Sequence, residues 1–453
     1  MNVLRTGTLP LYFFACSLGL FSNSTLAKTL EVGDGKPYSR IEEANAAAQP
    51  GDIILVHERE KGQPYEQTAV FVRHKNLTFR GIPSKGKTRV QVSGKNFDYN
   101  GNGSTPRAIF QFNRGANDCV LEGFELFGAH NESHNGAGVR INQANRTTIR
   151  RCSIHGNDMG VMSNGDGTSS TGADQRIEQC EIHHNGDTAE PGQNHNLYLG
   201  GSSVTVSFCE IYSSLTGHNL KSRAHQIRVQ YCYIHDSANR ELDLVDAAET
   251  APTESDALLL GNIIVKDTKC VGNRIVMHFG QDGGKGRDGT LYLYFNTIVT
   301  PFIAPVVELS APKAKAELVG NLISNGGAKQ SNQQVAAVRG GAQFQNLSGR
   351  QNYFSGEFAL PKDADLKPEN NLIRPAKAPL FVNPARHDYH LTKDAELSAR
   401  TSLTIKQQEI PPILNDSADD APAPLSWQYR HPTGKEKRLI ENVLDYGAYG
   451  KSK

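Results

Sequence analysis

The sequence predicts an all-β chain wound as one parallel β-helix, closed at its N-terminal end by a short helix. Three observations predict it. First, a degenerate unit recurs at solenoid period: RCSI (Arg151–Ile154), QCEI (Gln179–Ile182), FCEI (Phe208–Ile211) and YCYI (Tyr231–Ile234), then with Asn in the Cys slot at Asn262, Asn296, Asn321 and Asn352. Steps of 23 to 34 residues suit one coil each. Second, the copies show strand alternation and Gly, Asn or Asp punctuation, with no helical stripe between them. Third, 43 glycines and a single Trp favour short strands and turns.

The elements follow in chain order. MNVLR, the apolar LPLYFFACSLGLF and Ser24–Ala27 read as a secretory signal, residues 1–27, cleaved near Ala27. The apolar run is short for a span, so a secreted or periplasmic chain is expected. Ser39-Arg40-Ile41-Glu42 reads as a capping box opening a short helix, Gln49-Pro50-Gly51-Asp52 ends it, and Ile53–Val56 is a strand. A terminal helix would hide the open core of the first coil. Coils are expected over 28–400. Residues 401–453, with the Pro-containing stretch Ser417–Leu425, are expected to be a tail packing back along the solenoid.

Stacked coils turn the Cys/Asn slot into a ladder. Asn amides there bond to one another and to backbone, and Cys fills the slot as a small hydrophobe. Neighbouring rungs are about 4.8 Å apart, whereas disulfides need Cβ atoms nearer about 3.8 Å. Mostly free, buried thiols are therefore expected. No close Cys pair or Cys/His cluster points to a thiolate metal site.

A second register precedes each corner: GVRIN (Gly138–Asn142), GVMSN (Gly160–Asn164), NLYLG (Asn196–Gly200), NLKSR (Asn219–Arg223) and ELDLV (Glu241–Val245), at intervals of 22, 36, 23 and 22 residues. The second position is apolar throughout: Val139, Val161, Leu197, Leu220 and Leu242. Alternation then points it inward and the first and third positions outward. The third position stacks Arg140, Met162, Tyr198, Lys221 and Asp243. The first stacks Gly138, Gly160, Asn196, Asn219 and Glu241, preceded by His195, His218 and Arg240, and Arg223 lies two residues beyond Lys221. The near-duplicates NHNLYLGG and GHNLKSRA thus become neighbouring rungs, and proton-transfer groups collect on one wall.

Charge excludes one class. With 48 Lys plus Arg against 47 Asp plus Glu, there is no basic excess for a nucleic-acid partner. No segment after the signal could cross a membrane, and a monomer is expected.

The repeats, with PLFVNPARHDYHL (Pro379–Leu391) and DYGAYG (Asp445–Gly450), resemble right-handed parallel β-helix proteins of the pectate-lyase-like superfamily. NHNLYLGG, GHNLKSRA and RELDLVDA resemble a set of bacterial exported β-helix proteins sharing a His-Asn-x-Tyr, Lys-Ser-Arg-Ala and Glu-x-Asp series. The resemblance implies action on an acidic poly- or oligosaccharide. Alginate and chondroitin lyases on this fold take a base from a Lys-Ser segment, matched by Lys221-Ser222, and an Arg from the next coil. Here that strand position holds Val245, with Arg240 earlier and Arg223 on the Lys rung. The epimerase Asp-Pro-His-Asp motif is absent.

Uronate elimination needs a cation or donor on the carboxylate, a base at C5 and an acid for the leaving oxygen. The sequence offers Lys221 as base, Tyr198 or His195 as acid, and His218, Arg223 and Arg240 beside them. Asn196, Asn219, Arg140, Glu241 and Asp243 are expected to hold substrate. No cofactor is required on this reading, although Glu241, Asp243 and Asp246 offer an oxygen set for Ca²⁺. Two alternatives stay open: a glycoside hydrolase using Asp243 with Asp246 or Glu241, and a glycan-binding protein without catalysis.

Overall fold

The computed structural model describes residues 1, 27–101, 106–190, 192–328, 331–374, 379–395, 425–438 and 446–449. The signal segment before Ala27 and Ser417–Pro424 lie outside the described residues.

Among the described residues, the chain winds through three long parallel sheets of 12, 11 and 10 strands. Sheet A runs from Thr29–Val32 to Leu347–Arg350, sheet B from Val90–Ser93 to Leu372–Arg374, and sheet C from Val70–Val72 to Ala336–Val338. Each coil gives one short strand to each wall, and inward residues of all three walls fuse into one apolar core. The second-position residues Val139, Val161, Leu197, Leu220 and Leu242 are all in it, fully buried. Burying one such side chain contributes about 1.5–3 kcal/mol.

At the corner between sheets A and B the Cys/Asn ladder forms. The residue before each slot, Arg151, Gln179, Phe208, Tyr231, Gly261, Phe295, Gly320 and Gln351, has positive φ, which makes the bend. Cys152, Cys180, Cys209 and Cys232 are free and buried. Their thiols donate to backbone carbonyls, as Cys152 does to Arg150 O at 3.3 Å. Asn262 then accepts from Cys232 N at 2.9 Å and donates to Asn296 Oδ1 at 2.9 Å. The amide chain runs on through Asn321 and Asn352 to Asn371. Asn is suited to this slot because one side chain both accepts and donates, so no buried peptide group is stranded.

The N-terminal helix spans Ile41–Ala47. Its capping carboxylate is Glu43 rather than Glu42: Glu43 accepts from Ser39 N at 3.1 Å and Arg40 N at 3.2 Å. Asp52 closes the exit by accepting from Gln49 N and Lys28 N, both at 2.8 Å.

Among the described residues, the last strand of the three long sheets is Leu372–Arg374. Two antiparallel hairpins follow, Phe381–Asn383 with Asp388–Leu391 and Trp427–Arg430 with Gly434–Lys437. Their Phe381, Tyr389 and Tyr429, with Tyr446 and Tyr449, pack as a second cluster on outward residues that include Tyr231, Tyr233 and Tyr294.

Candidate active site

Sheet C brings the third-position column into register. Arg140 pairs with Met162, Met162 with Tyr198, Tyr198 with Lys221, and Lys221 with Asp243. The column continues into His278 and Glu308, which the sequence reading missed. Their signal was present in VMHFG and VVELS, where one outward residue sits between two buried apolar ones. The 35-residue step from Asp243 to His278 hid it.

The first-position residues are not outward. Asn196, Asn219 and Glu241 are fully buried. They lie at the bend into sheet C, where the chain has not yet settled into strand alternation. Asn196 Nδ2 donates to Tyr212 O and Asn219 Oδ1, both at 2.8 Å. Asn219 Nδ2 donates to His235 O and Glu241 Oε2, both at 2.7 Å. Glu241 accepts also from Ser237 N at 3.1 Å and faces Lys266 Nζ at 3.5 Å. Burial pushes the Glu241 carboxyl above its ordinary value. These three residues build the corner, and their side chains offer a glycan no surface.

His195 and His218 also lie beneath the wall, stacked with ring centroids 5.0 Å apart. His218 N donates to His195 Nδ1 at 3.0 Å, so the His195 ring is neutral with its proton on Nε2. Burial, with the neighbouring charges of His218 and Lys221, holds His195 well below the usual imidazole range. Burial likewise lowers His218 to about 4, although Asp243 opposes this. The stack demands Gly217: a Cβ there would lie 1.8 Å from Asn194 O and 2.4 Å from His195 Nδ1. The Tyr198 ring sits edge-on above His195 at 5.4 Å.

Asp243 is the buried hub. His278 Nδ1 donates to its Oδ1 at 2.8 Å, Arg240 donates to it at 3.1 Å, and His218 Nε2 and Lys221 Nζ lie 3.4 and 3.6 Å from Oδ2. Burial alone would raise its carboxyl. The His278 hydrogen bond and the surrounding positive charges outweigh burial and hold it far below the usual range. Arg240 spans from Asp243 to Glu308, 3.5 Å away, and Glu308 also accepts from Arg339 at 2.7 Å. His278 Nε2 meets Ser310 Oγ at 2.5 Å. Asp243, His278 and Ser310 thus have the order of a charge relay, but Ser310 is fully buried and its oxygen accepts from Gln281 N at 2.9 Å. The arrangement braces Asp243 and presents no nucleophile.

Over this wall lies the glycine-rich loop 280–289. Asp246 accepts from Asp282 N at 2.6 Å and Gly286 N at 2.9 Å, and Gly284 packs so closely that a Cβ would lie 2.0 Å from Asp246 Oδ2. Buried Arg287 pins the far side by donating to Val245 O, Ser255 O and His225 O. The loop delivers Asp282, whose Oδ2 is 2.7 Å from Lys221 Nζ and 2.6 Å from Arg223. Lys221 and Arg223 both flank the Tyr198 ring, at 5.9 and 5.7 Å from its centroid. Glu241, Asp243 and Asp246, the oxygen set considered for Ca²⁺, do not converge: one lies in the corner, one is enclosed by cations, and one caps a loop.

Tyr198, Lys221, Arg223 and Asp282 are therefore the solvent-facing members, with His195, His218, Asp243 and His278 as the layer that fixes them. Arg140 lies two rungs from Tyr198, and no carboxylate pairs with it among the described residues.

Residues 114–281 match the family model described as a right handed beta helix region. No curated protein matches the chain. Among solved structures, the chain is similar to pectate lyase Pel9A at 12% identity and TM-score 0.45, covering 94% of this chain and 97% of that one. It is similar to a tailspike protein double mutant of E. coli bacteriophage HK620, in complex with pentasaccharide, at 10% identity and TM-score 0.46, covering 76% and 58%. DFA-IIIase from Arthrobacter chlorophenolicus A6, without its lid, is similar at 11% identity and TM-score 0.43, covering 77% and 99%. At such identities the likeness is one of fold, and the chain is a right-handed parallel β-helix.

Proposed function

We propose that this chain is an exported, carbohydrate-active enzyme: a lyase that cleaves a uronate-containing glycan by β-elimination on the outer face of sheet C. The observation that carries the proposal is the Asp282 carboxylate lodged between Lys221 and Arg223 beside the Tyr198 phenol. Two cations holding a solvent-accessible carboxylate next to a proton-transfer group make a seat for a uronate carboxylate, with Asp282 as its internal stand-in. Arg140 extends the cationic column along the direction in which a chain would lie.

In the proposed reaction Lys221 and Arg223 bind the uronate carboxylate and stabilise the charge that develops on it. With Tyr198 acting in its phenolate form, the C5 proton passes to its oxygen to give the phenol, the C4–C5 double bond forms, and the C4–O bond breaks. The leaving oxygen takes the proton back from Tyr198. Lys221, the base expected from sequence, is engaged by Asp243 and Asp282, which suits a cation rather than a ready base. His195, His218 and Asp243 position the three solvent-facing groups.

The hydrolase alternative needs one protonated carboxyl. Asp243 and Asp282 are both held below their ordinary values, in each case against burial, by the cations around them. Glu241 lies in the corner and Asp246 is occupied by loop amides. The burial of Glu241 away from the surface and the loop amides on Asp246 support the lyase reading over either pairing.

The test is incubation with alginate, pectate and glycosaminoglycans, following the ultraviolet absorbance of an unsaturated uronate against new reducing ends. Absorbance and ends rising together support elimination. Ends alone mean hydrolysis, and neither leaves a binding protein. Tyr198→Phe should abolish turnover, while Lys221→Arg should retain part of it. Full activity in Tyr198→Phe removes the assignment.

A further inference from the structure

We propose that Glu210, His235, His387 and His431 form a binding site for a divalent transition metal of the zinc class, which clamps the two C-terminal hairpins onto sheet B. The site lies on a different wall from the sheet C patch and does not depend on the lyase reading.

Glu210 and His235 come from successive coils. Strands Glu210–Tyr212 and Tyr233–His235 pair in parallel, with Ile211 and Ile234 inward, so Glu210 and His235 project from the outer face. His387 follows the turn between Phe381–Asn383 and Asp388–Leu391, and His431 lies in the turn between Trp427–Arg430 and Gly434–Lys437. Three separate segments of chain thus bring four ligand-type side chains to one point.

Glu210, His235 and His387 have ligand atoms close enough to share one ion, and His431 stands beside Glu210. One ligand atom from each of Glu210, His235 and His387 lies within 4.8 Å of the others. Glu210 Oε1 is 3.3 Å from His235 Nε2 and 3.5 Å from His431 Nδ1. The His387 and His431 rings are 4.7 Å apart. Bonds of about 2.0–2.1 Å in a tetrahedron separate neighbouring ligand atoms by about 3.3 Å. The orienting contacts are also present. Asp236 Oδ2 binds His235 Nδ1 at 2.8 Å, leaving Nε2 turned toward Glu210, and the Tyr233 hydroxyl meets His387 Nδ1 at 3.0 Å. A carboxylate on the distal nitrogen is the usual support of a metal-bound imidazole.

Glu210 and His235 are buried, so the carboxylate needs a positive partner. Protonated histidines could supply it, but three imidazoles on one carboxylate would repel one another. A bound cation would supply that positive partner through the nitrogens that the imidazole rings turn toward the carboxylate. Imidazole nitrogens favour zinc-class ions over calcium, and His431, 3.5 Å from Glu210, stands where it could add a fourth ligand to the three.

The test uses the full secreted chain without a histidine tag, stripped with EDTA and titrated with Zn²⁺ by calorimetry and with Co²⁺ by visible absorption. One equivalent per chain, a tetrahedral cobalt spectrum and metal-dependent protection of the C-terminal hairpins from trypsin are expected, with no response to Ca²⁺. His387→Ala and His431→Ala, both in turns outside the coils, should each weaken binding at least about tenfold. His184→Ala, on the same wall, should leave it unchanged. No Zn²⁺ binding, an octahedral cobalt spectrum, or binding that survives both His387→Ala and His431→Ala overturns the proposal.

Discussion

Asp282 Oδ2 lies 2.7 Å from Lys221 Nζ, on a loop whose backbone Asp246 grips at two amides. The same oxygen is 2.6 Å from Arg223. A carboxylate so placed competes with any acidic ligand for the two cations. Asp282→Asn should therefore tighten binding of an acidic glycan. The pair is partly exposed, so the gain is modest: an interaction of about 1 kcal/mol or less corresponds to a few-fold lower Kd or KM. Calorimetry with the oligosaccharide that the wild type degrades reads it directly. A Kd that stays the same or rises means that Asp282 is not the stand-in.

Much of this geometry was legible beforehand because period-two alternation fixes facing once one column is known to be apolar. Leu197, Leu220 and Leu242 fixed Tyr198, Lys221 and Asp243. Alternation misplaces the residues one position earlier, Asn196, Asn219 and Glu241, which are buried. Alternation holds within a strand, and those residues sit on the bend, where an amide gains more by bonding to backbone than by facing water. Asp282, Arg287 and Ser310 were illegible for another reason: they act from loops or across coils of irregular length, and no repeat carries their position.

The Asn ladder gives a sharp stability contrast. Asn296 Oδ1 accepts from Asn262 N and Nδ2, while its own amide donates to Leu259 O and Asn321 Oδ1. Asn296→Ala strands buried partners on both sides and should cost at least about 3 kcal/mol, since each lost buried partner costs about 1–3. Cys209→Ala in the same column removes one sulfur, which donates weakly to Ser207 O and accepts weakly from Cys180 N at 3.4 Å, and should cost about half as much or less. Urea midpoints of the two variants measure the difference. Equal losses would mean that packing, not amide bonding, sets the ladder's worth.

The thiols offer a chemical check on the corner. Cys152, Cys180 and Cys209 are fully buried, and burial pushes all three thiols well above the ordinary value. Thiolate is the reactive form, so these groups should resist a disulfide reagent in the folded protein and react together on unfolding. Titration with and without denaturant distinguishes the cases. Rapid reaction of several thiols in the native state would contradict a closed column.

The buried imidazole pair makes stability pH-dependent with a definite sign. His218 titrates near 4 in the folded protein, against about 6.5 in an unfolded chain. Between those values the unfolded state binds a proton that the native state refuses, so stability rises with pH. The contribution is fully present above about 6.5 and falls as pH drops toward 4, by up to about 3 kcal/mol. His195 acts in the same direction, held low chiefly by burial. Asp243 does not cancel this: its depressed carboxyl loses its contribution only in stronger acid, below the unfolded carboxylate range. His130 and His134 are raised, chiefly by hydrogen bonds to Asp158 and Asp187, and oppose the trend by favouring the native state in acid. Comparing wild type with His218→Gln removes that background. From pH 7 to pH 5 the wild-type urea midpoint should fall more steeply than the variant's. Parallel slopes would mean that His218 takes up its proton without opening the stack under Tyr198.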